Sequence, residues 1–85
     1  MAGPFGGHPT LKRYLEWLRS QGFHYKTGYV ELEDRTISLV AVQDAEGNDI
    51  YNIGDMPMDE HLAPSLVAYF DGIFGVVSPF AKPPK

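Results

Sequence analysis

Eighty-five residues without a cysteine define one domain near the small end of what folds unaided, with no disulfide framework, thiolate metal site or thiol nucleophile. An apolar content of 44%, with eleven aromatic residues, is enough for a core and excludes wholesale disorder. The net charge of −4 divides into +3 over residues 1–30, −9 over residues 31–71 and +2 in the tail, so the acidic middle repels phosphate backbones and favours basic partners.

The N-terminal "MAGPFGGHP" has neither the basic start nor the apolar run of a signal peptide, and residues 1–9 read as a flexible tail. The first element is a helix. In "TLKRYLEWLRSQGF" Leu11, Tyr14, Leu15 and Leu18 fall at i, i+3, i+4 and i+7, and Lys12, Arg13, Glu16 and Arg19 take the opposite side. Thr10 suits the N-cap, and Gly22 suits the left-handed residue that follows a helix.

From residue 23 to 54 the period changes to two. "YVELE" alternates Val30 and Leu32 with Tyr29, Glu31 and Glu33, "TISLVAVQ" is rich in β-branched residues, and "DIYNIG" follows the turn-forming "DAEGN". These predict an antiparallel three-stranded meander, with "FHYKTG" as the place for a fourth short strand.

"GDMPMDEHLAP" leads to the last element. With Pro64 at its first position, Leu66, Val67, Tyr69, Phe70, Ile73, Phe74, Val76 and Val77 fill one half of a helical cylinder, which predicts a helix ended with the help of Pro79. A break at "DG" would instead leave a shorter helix and an extended "IFGVV", because each mid-helix glycine costs about 1 kcal/mol relative to alanine. The segment is too short, and with Asp71 too polar, to span a membrane, which takes about 20 apolar residues.

The expected fold is therefore α+β, in the order α-β-β-β-α over residues 10–78, with both helices on one face of the meander and a Pro-rich tail over 79–85. Its expected core is Leu11, Tyr14, Leu15, Leu18, Val30, Leu32, Ile37, Leu39, Leu66, Phe70, Ile73 and Phe74. This order resembles that of the double-stranded-RNA-binding domain and of the small RNA-cleaving toxins built on it, over roughly residues 10–77. The RNA-binding members place a basic cluster at the start of the second helix, where this chain reads "MDEHLAPS". The toxins rely on a histidine at the start of a strand, and "TGYVEL" has Tyr29 there.

Chemistry is weakly signalled. His8, His24 and His61 share no ligand spacing, Ser20, Ser38, Ser65 and Ser78 lack a nucleophile elbow, and the glycines of "GPFGGH" precede any strand. The expectation is a small acidic, non-enzymatic, cytoplasmic interaction or inhibitor-like module without cofactor, metal or membrane contact. Its final helix is wider in apolar residues than the roughly 100° stripe a surface helix buries, which predicts a homodimer. The interface expected is Tyr69, Gly72, Ile73, Val76, Val77 and Phe80, with Ala68, Gly72 and Gly75 as a small-residue stripe. An acidic surface of Glu31, Glu33, Asp55, Asp59 and Glu60 would serve a basic protein partner. Two other classes compete: RNA or DNA binding through the basic first helix, and a small hydrolase using the region of His61.

Overall fold

A computed structural model describes residues 8–80. The element order is α1 (Leu11–Ser20), β1 (His24–Glu31), β2 (Thr36–Gln43), β3 (Asp49–Gly54) and α2 (Pro64–Phe74), and the strands form one antiparallel sheet in the order β1-β2-β3. This is the α+β architecture expected, without a fourth strand among the described residues. The tails fall outside the described residues over 1–7 and 81–85.

Every free amide in the first turn of α1 is satisfied. Leu11 and Lys12 donate to the carbonyls of Glu60 and Met58 at 2.8 and 2.9 Å, Arg13 donates to Thr10 Oγ1 at 3.2 Å, and Tyr14 donates to the Thr10 carbonyl at 3.0 Å. The loop after β3 thus runs alongside the start of α1, and Leu62, fully buried, fastens it by donating to the Pro9 carbonyl. The acidic "MDEH" stretch caps the first helix rather than serving the second. Between β2 and β3 the Asp44 carboxylate accepts from the Glu46 and Asn48 amides, both at 2.9 Å, and these bonds, chiefly those of Asn48, lower its pKa.

The core lies between the two helices and one face of the sheet. Leu11, Tyr14, Leu15 and Leu18 of α1 meet Val67, Phe70 and Phe74 of α2 over Val40, Val42 and Ile53. Three expectations need correction here. Val30 and Leu32 are exposed, not core, and Ile37 and Leu39 are half-buried, because the pairing puts Val30 opposite Ile37 and Gly28 opposite Leu39 on the face away from the helices. Leu66 and Ile73 are likewise half-buried and only flank the core. The last helix stops at Phe74 instead of running on towards Pro79, and residues 75–80 are irregular rather than extended strand.

Asp71 explains that stop. Gly75 adopts the left-handed conformation at φ 69°, and its amide and that of Val76 both donate to the Asp71 carbonyl. The chain then folds back so that the Ser78 amide and hydroxyl both reach Asp71 Oδ2 at 2.9 Å, while the Tyr14 hydroxyl donates to Oδ1 at 2.7 Å. One buried carboxylate therefore ties α1, α2 and the C-terminal segment together. Beyond it Phe80 rests on Trp17 and Tyr14, with the Arg13 guanidinium 5.8 Å from the Phe80 ring centre.

Burial, and then the adjacent Asp71 carboxylate, push the Tyr14 phenol above its ordinary range. The native state consequently keeps a proton that the unfolded chain releases near pH 10, so stability is complete below about pH 10 and declines as pH rises beyond it. Tyr25 and Tyr51, held by Glu16 and Tyr69, shift in the same direction. Urea midpoints measured from about pH 8 to 11.5 should fall through this window. Tyr14→Phe should flatten most of the decline; an equally steep fall in that variant would assign it to other groups.

Candidate interaction surface

The helices cover only part of the sheet. Phe70 and Phe74 lie against Tyr51, Phe74 against Phe23, and Tyr25 packs at the margin of the core, where its hydroxyl donates to Glu16 at 2.7 Å. The other end of β1 has no helix over it. Thr27, Tyr29 and Ser38 instead line an open cleft whose far wall is Lys12, Met56 and Met58. Ser38 donates to the Met56 carbonyl at 3.3 Å and the Asp55 amide donates to the Ser38 carbonyl, which holds that wall in place.

Large apolar side chains cluster around this uncovered end. Tyr29 is 80% exposed on the helix-bearing face, and Val30 and Leu32 are 37% and 45% exposed on the other. Ile37 and Leu39 extend the second group, and Gly28, opposite Leu39, offers no side chain to shield it. Exposed singly, such residues are ordinary; Val30 and Leu32, gathered with Ile37 and Leu39 on one face of the hairpin, form the kind of patch that marks docking. The sequence hid this patch because "TISLVAVQ" is apolar at both parities. Ile37 and Leu39 could face inward only if Val40 and Val42 faced out. A test of both parities against the buried stripe of α1 is the signal that could have exposed it.

The residues expected at a C-terminal interface divide. Ile73, Val76 and Phe80 are half-buried and pack on the core of their own chain. Gly72 is exposed, Val77 is 87% exposed and Tyr69 is 57% exposed. Since Gly75 ends the helix, Val76 and Val77 share no helical face with Tyr69 and Ile73. Of the acidic set, Glu31 and Glu33 stand at the end of β1 and in its turn. Asp55, Asp59 and Glu60 belong to the loop after β3, and all five are exposed. His61 forms a bridge with Thr10, and among the described residues no three His, Cys, Asp or Glu side chains converge as metal ligands. No helix among them is long and apolar enough to cross a membrane.

The architecture is thus a small α+β domain with one sealed and one open end of its sheet. Comparison of the chain with protein-family models, with curated proteins and with solved structures finds no match.

Proposed function

We propose that this chain is a small, non-enzymatic, cytoplasmic protein-interaction module that docks through the uncovered end of its sheet. The observation that carries the reading is the exposed group Tyr29, Val30 and Leu32 on the β1–β2 hairpin. Nothing in the fold needs these side chains, since the core closes without them. Leaving them in water forgoes about 25 cal/mol for each square ångström of apolar surface that a partner could cover. The acidic turn beside them, Glu31, Glu33 and Asp34, would select a partner surface carrying positive charge.

A photo-crosslinking residue placed at Leu32 in the native host is expected to give discrete adducts, and the same probe at exposed Asn52 on β3 is expected to give none. Equal, diffuse labelling at both positions would remove the docking reading.

A further inference from the structure

We propose that the occupant of this surface is a second copy of the chain, joined by antiparallel pairing of β1 with β1 across a two-fold axis. The inference rests on the docking reading above and adds the partner and the geometry.

The backbone supplies the first argument. Leu32 donates to the Arg35 carbonyl at 2.7 Å, which makes that a bonded pair of the β1–β2 ladder. Bonded and non-bonded pairs alternate along an antiparallel ladder, and the register from His24–Gln43 to Glu31–Thr36 runs without a shift. His24, Lys26, Gly28 and Val30 therefore direct their amides and carbonyls to β2. The amides and carbonyls of Tyr25, Thr27, Tyr29 and Glu31 point out from the sheet edge, which holds no other strand among the described residues. The edge is eight residues long with no proline and no bulge, whereas the opposite edge strand, β3, has six residues and pairs through an irregularity at Val42 and Gln43. β1 is the longer and more regular of the two edges, and so the better template for strand addition.

The second argument is charge. β1 begins beside Arg19 with His24 and Lys26 and ends in Glu31, Glu33 and Asp34. Antiparallel pairing of two identical strands sets the basic start of each against the acidic end of the other. In the register centred on Gly28, Glu31 of one copy lies opposite Tyr25 of the other, whose hydroxyl is flanked by Arg19 as well as by Glu16. Each outward amide and carbonyl then meets a partner, Tyr25 with Glu31 and Thr27 with Tyr29.

Gly28 is the third. Its φ lies outside the left-handed range and a Cβ there would meet open space, so nothing inside the chain calls for glycine. Within a strand it weakens the element unless another backbone approaches. In this register the two glycines face each other on the axis as a non-bonded pair, where Cα atoms approach to about 4.5 Å.

Sedimentation and amide exchange on the full chain test the proposal. A monomer–dimer equilibrium should appear as concentration rises to about 1 mM, as suits a small interface, and it should weaken with added salt. The amides of Tyr25, Thr27, Tyr29 and Glu31 should become protected with dimerisation, while those of Lys26, Gly28 and Val30 are protected throughout. Glu31→Arg should weaken the dimer about tenfold, the contact occurring twice across the axis, and Arg19→Glu combined with Glu31→Arg should restore it. A chain that stays monomeric to about 1 mM, or a dimer with unchanged exchange at the four alternate amides, overturns the proposal. If adducts at Leu32 persist in that case, docking stands with a foreign partner; if they are absent as well, both readings fall.

Discussion

Phe70→Ala is expected to cost about 3–5 kcal/mol, a large part of the roughly 5–15 kcal/mol that holds a small domain folded. Phe70 is 2% exposed, and its ring centre lies 5.8 Å from that of Tyr14 and 6.3 Å from those of Tyr51 and Phe74. Truncation removes the side chain through which α2, α1 and the sheet touch at one point, and the rigid aromatic neighbours cannot close over the void. Leu15→Ala, at the same depth in α1, should cost about 2–5 kcal/mol. Leu32→Ala should fall within about 0.5 kcal/mol of the wild type, although its residue type and strand alternation are those of a core leucine. Urea denaturation with an unchanged slope distinguishes these cases. A Leu32→Ala midpoint as low as that of Phe70→Ala would mean that the hairpin face is covered within the chain.

The contrast between Phe70 and Leu32 shows what was legible in the sequence. α1 was plain, because its apolar spacing, its Thr10 cap and its Gly22 stop agree with one another. The strands were plain from their period of two, but the direction each face takes was not. A period fixes which residues lie together and leaves open which set faces the core. In "TISLVAVQ" both sets are apolar, and the decision falls to the helices, which cover Val40 and Val42 and leave Ile37 and Leu39 at the surface. The exposed patch is lost to the same ambiguity, since the alternation of Val30 and Leu32 points to the core along with Ile37 and Leu39. The free edge of β1 is a property of topology, and only the strand order reveals it. The end of α2 is set locally by the left-handed Gly75, whereas the fold-back that follows is tied through Asp71 to Tyr14, 57 residues away, which no local pattern encodes.

Asp71→Ala is expected to cost about 3–5 kcal/mol, comparable to the loss of a core aromatic, although the residue removed is a carboxylate on an apolar helix. The deletion takes the acceptor from three donors at once: the Tyr14 hydroxyl, the Ser78 amide and the Ser78 hydroxyl. Both residues are buried, at 0% and 1% exposure, so water cannot replace the lost partner without opening the structure. A hydrogen bond to a charged group contributes about 1.5–3 kcal/mol, and the three share one acceptor, so the sum lies below three times that value. Asp71→Asn should cost less, about 1–2 kcal/mol. Its carbonyl can still face the two Ser78 donors while its amide donates to the Tyr14 oxygen, provided the phenol rotates its hydrogen away. The two variants therefore separate the carboxylate's geometry from its charge. Asp71→Asn also takes the negative charge from beside the Tyr14 phenol and leaves its burial, so the alkaline loss of stability should still begin near the ordinary phenol pKa of about 10 but be smaller and level off at lower pH. Beyond Ser78, Phe80 is the described residue that packs against the core. In Asp71→Ala, amide exchange should therefore accelerate first over residues 75–80, before the sheet opens. A variant that unfolds in one step, with no early exchange in that segment, would show that Asp71 supports the core and not the C-terminal fold-back.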